Sequence, residues 1–259
     1  MALSPASSHP VFGKSDKAES AARLQQFTDD SNELHAEYLG NPELLTRYEY
    51  FLAWQTAYSL PFYSEFRALP ETKAAIDFVV TDLIGAGISA RDADLAQVVP
   101  IMRRLLPAHA LHALASAMEL NARVLAINLG ICRNVFDTSD HTSGISEQGY
   151  CLALRRATSL DESLELIGLT ITLGKSLKRL VRIPLMGITL RAMHRPAHAA
   201  GFGVLQDFLE KAYTTFRDIP DVGHFLDRLS ELMTQAFTRS FREPVENLNS
   251  TRCHPSSLR

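Results

Sequence analysis

Between Pro107 and Asn134 the chain places apolar residues on two opposed faces of what its spacing marks as one long helix. Leu111, Leu114, Ala115, Met118, Ala122, Leu125, Leu129 and Cys132 form one stripe at helical intervals. Ala113, Ala117, Leu120, Val124, Ile127 and Ile131 form a second stripe nearly opposite. A helix that is greasy on both sides has to be covered on both sides, because a single contact leaves one stripe in water. The expectation is an all-α domain of about eight or nine helices packed around this central buried helix, at about 107–134.

The flanking sequence agrees with that class. Asn41-Pro42 is a helix start, with Asn as N-cap and Pro at the first helical position, and Leu44, Leu45, Tyr48, Phe51 and Leu52 follow at helical spacing. Pro61 has to end or kink that helix, since it lacks an N–H and its ring clashes with the preceding turn. Asp16 with Glu19 and Ser159 with Glu162 have the spacing of capping boxes. A helix from about Pro70 runs through Ile76, Val79, Val80 and Leu83 to Gly85, and Pro100 predicts a kink in the segment that Ser89 and Asp92 open. Beyond the central segment, helices are expected at about 150–157, 160–182, 184–194, 202–218 and 222–240, with Pro184, Pro196 and Pro220 between them. The short β-branched run Leu169-Thr170-Ile171-Thr172-Leu173 is outvoted by its helical flanks. Residues 1–14 and 243–259 lack apolar periodicity and read as disordered tails around a helical domain at 15–242, with a polar internal connector at 136–149.

Composition sets outer bounds. Hydrophobic residues make up 46% of 259 and charged residues 21%, enough for a core and far from a disordered composition. No stretch has the roughly 18 apolar residues that a membrane-spanning helix needs, and the N-terminus has no apolar signal core. Cys132, Cys151 and Cys253 are odd in number and far apart, which argues against a disulfide framework and for a reducing, cytoplasmic setting. Cys132 lies on the first stripe of the central helix and reads as a small buried hydrophobe.

Charge is distributed unevenly. The whole chain carries −3, yet from Leu166 through Gln206 there is no Asp or Glu, while Lys175, Lys178, Arg179, Arg182, Arg191 and Arg195 give +6. Lys175, Lys178, Arg179 and Arg182 are spaced i, i+3, i+4 and i+7, so they project from one helix face. Such a stripe attracts an acidic protein surface or a small anion, or it is a solvated face whose cations complement the helix dipole. Nucleic acid is disfavoured by the negative total and the lack of interleaved aromatics.

Other constellations carry less. His194 and His198 are four apart, but Pro196 between them predicts a new helix, so the imidazoles are not expected to converge on a metal. No Glu-x-x-His occurs. Gly168 is one residue too far from Gly174-Lys175-Ser176 for a phosphate loop, and Gly201-Phe202-Gly203 lacks the third glycine of a dinucleotide fingerprint. Trp54, Gln55, Tyr58 and Tyr63 either line a ligand pocket between helices or belong to the core with polar tips at its edge. Arg91, Asp92 and Asp94 fit the first turn of a helix, where acidic groups complement the dipole.

The stretch IDFVVTDLIGAGISARDADLAQVVPIMRRLLP resembles the signature region of an uncharacterised bacterial family named for its FFLEELY motif. Phe78, Leu83 and Gly85 match the motif, followed by Arg91, Asp92, Asp94, Leu95, Pro100, Leu106 and Pro107. Thr81 and Asp82 stand at its two glutamate positions and Ile84 at its tyrosine. LVRIPL and LRAMHRPAHAAGFGVLQDFLE are similar to the family's C-terminal half, through Met193, Pro196, Ala200, Gly201, Leu205, Gln206, Phe208, Leu209 and Glu210. Trp54-Gln55 and Tyr63 resemble its leading helix, and the likeness spans about residues 46–231. It implies a helical bacterial protein without an established activity.

Taken together, the residues favour a non-enzymatic binding or regulatory protein that engages an acidic partner or anionic ligand through Lys175, Lys178, Arg179, Arg182, Arg191 and Arg195. The alternatives are a helical carrier or sensor with a pocket at Trp54, Gln55, Tyr58 and Tyr63, or a metal-free enzyme built from scattered Asp, Glu and His. No cofactor or metal is expected.

Overall fold

The computed structural model describes residues 14–83, 99, 108–136 and 144–251. Among them the fold is all-α. Nine helices of two turns or more lie among the described residues: α1 Lys14–Leu39, α2 Pro42–Ser59, α4 Pro70–Phe78, α5 Ala108–Val135, α6 Glu147–Ala157, α7 Leu160–Leu180, α8 Met186–Ala199, α9 Gly203–Arg217 and α10 Val222–Arg242. A one-turn helix, α3 Ser64–Arg67, follows a 3-10 turn at Leu60–Tyr63, where Pro61 ends α2 as its missing N–H requires.

Helix α5 is the long central helix expected at 107–134. It packs along α1 and against α2, α6 and α7. Its two stripes are covered unequally. Leu111, Ala115, Met118, Ala122, Leu125, Leu129 and Cys132 are buried, whereas of the opposite stripe only Ile131 is, the others being half-buried. The first stripe feeds two apolar clusters. Leu24, Val99, Leu111, Ala115 and Met118 form one, and Leu125, Leu129 and Cys132 join Tyr38, Phe51, Trp54, Tyr150 and Leu154 in the other. A third cluster, from Phe66, Ile76, Phe78, Val80, Ile171, Phe216, Phe225 and Leu226, holds α3, α4, α7, α9 and α10 together.

The caps explain several boundaries. Asn41 Oδ1 accepts the Leu44 N–H at 3.1 Å, and Ser159 Oγ accepts the Glu162 N–H at 3.1 Å. Glu162 does not close the box; its carboxylate accepts from Thr158 Oγ1 at 2.7 Å instead. Helix α1 begins at Lys14, so Asp16 is inside it rather than at its cap. In α7 the Thr170 and Thr172 hydroxyls donate to the carbonyls of Leu166 and Gly168 at 2.8 and 2.9 Å, so the β-branched run is helical with its hydroxyls satisfied within the helix. Gly174 is buried where α7 meets α10, and a Cβ there would stand 2.5 Å from Leu226 Cδ2.

Two expectations are corrected, one on Pro196 and one on residues 243–251. Pro196 does not separate two helices; it lies inside α8. Residues 243–251 are not a loose tail. They turn through a 3-10 segment at Val245–Asn247, bury Leu248 to 4% exposure, and pin α6 through Gln148 N–H to Asn249 O at 3.1 Å. The 136–149 connector starts at Phe136 and returns at Ile145, both buried in the same cluster. It therefore joins parts of one core. The tail at 1–13, Gly85, Arg91, Asp92, Asp94, Pro100, residues 137–143 and Cys253 lie outside the described residues. Among those described, no helix is long and apolar enough to cross a membrane.

Candidate functional site

Four of the six cations of the 175–195 stretch line two separate grooves, because the chain turns at residues 181–185 and the two helices take different partners. α7 packs on α10, whereas α8 packs on α9. Lys178 and Arg182 line a groove of about 260 Å³ together with Arg217, over Val181, Phe216, Ile219 and Val222. Arg191 and Arg195 line a shallower one of about 380 Å³ with Ala192, His194 and Glu210. Lys175 and Arg179 are exposed on the remaining turns of α7. Arg217, which the local charge pattern did not single out, joins the surface from α9 and is paired there with Asp218 of the same groove at 2.8 Å.

Most arginines outside this region are paired with carboxylates. Arg67 holds Asp77 at 3.0 Å, Arg123 holds Glu165 at 3.1 Å, Arg228 holds Glu65 at 2.7 Å and Arg239 holds Glu147 at 2.8 Å. Arg23 with Glu119 and Arg133 with Glu37 tie α1 to α5. Among the described residues no carboxylate lies within ion-pair distance of Lys175, Arg179, Arg182, Arg191 or Arg195. Lys178 faces Asp221. The His224 backbone N–H, with Lys178 assisting, holds that carboxyl below its ordinary range.

Helices α8 and α9 form a tight hairpin. Gly201, at φ +87°, makes the reversal, a backbone region costly to side-chain-bearing residues. Because α8 runs through Pro196, His194 and His198 are one turn apart on one face with ring centroids 4.4 Å apart. Ala192, whose carbonyl would have taken the N–H that Pro196 lacks, is exposed, so water can serve it. Opposite stand two carboxylates of α9. His198 Nε2 is 2.8 Å from Asp207 Oδ1, and His194 Nδ1 is 3.1 Å from Glu210 Oε1 and 3.7 Å from Asp207 Oδ1. Gln206 fixes Glu210 by donating to it at 2.8 Å while also donating to the Leu190 carbonyl at 2.7 Å.

Trp54, Gln55, Tyr58 and Tyr63 line neither groove. Trp54 is 1% exposed and stacks on Tyr58 at 4.7 Å, and Tyr150 closes against both rings. Tyr58 donates to Glu147 Oε1 at 3.0 Å, and burial followed by that carboxylate pushes its phenol far above the usual value. Burial pushes Tyr63 up to about 12. Trp54 and Tyr63 are buried in the core, and Trp54 Nε1 is buried without a hydrogen-bond partner among the described residues. Burial also raises the Cys132 thiol to about 12 and the Cys151 thiol in the same direction, opposite to what an activated thiolate needs.

Two sequence blocks far apart in the chain meet across the α4–α9 contact. Phe78 packs on Phe208 at 5.3 Å, and Asp82, in the π-helical turn Val79–Leu83, accepts from Lys211 Nζ at 2.6 Å. The model of a domain of unknown function, DUF8198, matches residues 34–244 and so takes in both blocks. The chain belongs to that family. Neither the curated proteins nor the solved structures gave a match. The DUF8198 match begins within α1 and ends just beyond α10, covering the hairpin and both grooves.

Proposed function

We propose that this DUF8198 protein is a non-enzymatic binding protein that docks an acidic protein partner on the α7–α9 surface. The observation that carries the reading is the contrast in pairing. Most arginines elsewhere, Arg67, Arg123, Arg228 and Arg239 among them, are held by carboxylates, and Arg156 and Arg242 stand singly without one, while Lys175, Arg179, Arg182, Arg191 and Arg195 form a run with none among the described residues. Cations left without intramolecular partners keep their field for an incoming surface.

Two features favour a protein over a single small anion. Four of the cations are spread over two grooves rather than converging on one point. Between and beside them Ile183, Leu185, Ile188 and Met193 are exposed at 43–69%, an apolar complement suited to a protein face. The finer family reading, membership of the FFLEELY-motif proteins and with it a bacterial cytoplasmic setting, is part of the same proposal. Phe78 against Phe208, one residue from each block of that resemblance, supports it, and the buried thiols of Cys132 and Cys151 suit a reducing compartment.

Fluorescence anisotropy with labelled poly-L-glutamate tests the reading. Binding should weaken steeply as salt rises, and the Lys178→Glu/Arg182→Glu/Arg191→Glu/Arg195→Glu variant should lose it, while Arg242→Glu on α10 should keep it. Binding unaffected by salt, or retained by the fourfold variant, would overturn the proposal.

A further inference from the structure

We infer that the α8–α9 hairpin binds one divalent transition-metal ion of the zinc type through His194, His198 and Asp207, with Glu210 beside them as a further oxygen donor. The ligand atoms of the first three lie within 4.8 Å of one another. Two histidines four apart on a continuous helix point the same way, the spacing by which helical zinc sites present paired imidazoles. Metal–ligand bonds of about 2.0–2.1 Å in a tetrahedron put donor atoms about 3.3 Å apart. The separations of 2.8 Å from His198 Nε2 to Asp207 and 3.7 Å from His194 Nδ1 to Asp207 bracket that value, and with all three donors within 4.8 Å of one another, closing by no more than about 1.5 Å brings them onto one ion.

The surroundings hold these donors in place. Gly203 opens α9 directly beneath His198, where a Cβ would stand 2.6 Å from Nδ1 and 2.8 Å from Cε1. Only glycine leaves room for the ring in this position. Gln206, 6% exposed, orients Glu210, as residues behind a metal ligand commonly do. The side chains of His194 and His198 are 45% and 43% exposed, so an ion reaches them without opening the fold. Without an ion, the same contacts are imidazole–carboxylate hydrogen bonds across the hairpin. Two neutral imidazoles and one or two carboxylates suit zinc or cobalt better than calcium or magnesium, which prefer oxygen alone.

Arg191 and Arg195 share the helix face but are not donors, and neither Lys178 nor Arg182 takes part. Metal binding and acidic-partner binding can therefore fail separately. The full chain, stripped with a chelator, is titrated with Co2+ and followed by visible absorption. One equivalent should give the intense bands of a site of low coordination number, and Zn2+ should displace it. His198→Ala and Asp207→Asn should abolish the one-site signal, and Glu210→Gln should weaken it about tenfold. His224→Ala, on α10, should leave it unchanged. Zn2+ should also raise the Tm of the native chain and not that of His198→Ala, a readout that needs only folded protein. Cobalt remaining as the hexa-aquo ion, or a titration identical in the native chain and in His198→Ala and Asp207→Asn, would overturn the site.

Discussion

The α2–α5–α6 region and the α8–α9 hairpin are built from the same helical material and differ in what their side chains touch. In the first, Phe51, Trp54, Leu129, Cys132, Cys151 and Leu154 are no more than 1% exposed, and Trp54, Tyr58 and Tyr150 pack ring against ring. In α8 only Gly187 is buried, and Ile188 and Met193 are 56% and 49% exposed. Burial of apolar area fixes the first region. The second is fixed by imidazole–carboxylate contacts, by the Gln206 bridge and by Gly201, and its outer face is left to solvent. The buried core and the proposed recognition surface thus lie on different helices, and α9 joins them by burying Leu205, Ala212 and Phe216 while presenting Asp207, Glu210 and Arg217.

That difference can be measured. The largest effect is expected at Phe51→Ala or Trp54→Ala, which should each lower unfolding free energy by about 3–5 kcal/mol in urea titrations. The thiols of Cys132 and Cys151 should then react with an aromatic disulfide reagent faster by the same factor, since both are reached only on opening. Leu248→Ala should cost about 2 kcal/mol and raise amide exchange in α6, because the 3-10 turn that carries it pins that helix. A chain end that behaved as a free tail would show neither change.

Ion pairs come next. Burial by itself would raise the Asp77 carboxyl, but Lys73 at 2.6 Å and Arg67 at 3.0 Å bring it below its ordinary 3.8. A lowered folded value means the contribution is fully present above pH 3.8 and is lost as pH falls through the lowered value. Asp77→Asn should therefore cost about 0.5–1 kcal/mol at neutral pH and little in the acid limb. Arg182→Ala, which breaks no pair among the described residues, should change neither limb. The smallest effect is expected on the hairpin's outer face. Ile188→Ala and Met193→Ala should stay within about 0.5 kcal/mol of the native chain. If either weakened capture of poly-L-glutamate or of an acidic host partner at unchanged stability, apolar contact would be part of recognition.

Much of the architecture was legible from local rules. The two stripes of α5 required covering helices on both sides, Asn41-Pro42 and Ser159 placed helix starts, and Pro61 placed an end. The acid-free stretch from Leu166 through Gln206 marks where the cations collect. Legibility failed where a residue's effect depends on distant neighbours. Proline ordinarily breaks a helix, yet at Pro196 in α8 the lost hydrogen bond falls on the solvent-facing carbonyl of Ala192. His194 and His198 consequently converge. Residues 243–251 carry no periodicity, because one leucine and a few backbone bonds anchor them, not a helical face.

Sequence by itself determined that this chain is helical, which helix is innermost and where positive charge collects, because propensity, capping and periodicity act over a few neighbouring residues. Tertiary structure decided that four of the cations line two grooves, that Asp207 and Glu210 face the paired histidines, and that the second stripe of α5 is only half covered. Those outcomes depend on how α7, α8 and α9 pack, and packing is set by shape complementarity between residues far apart in the chain.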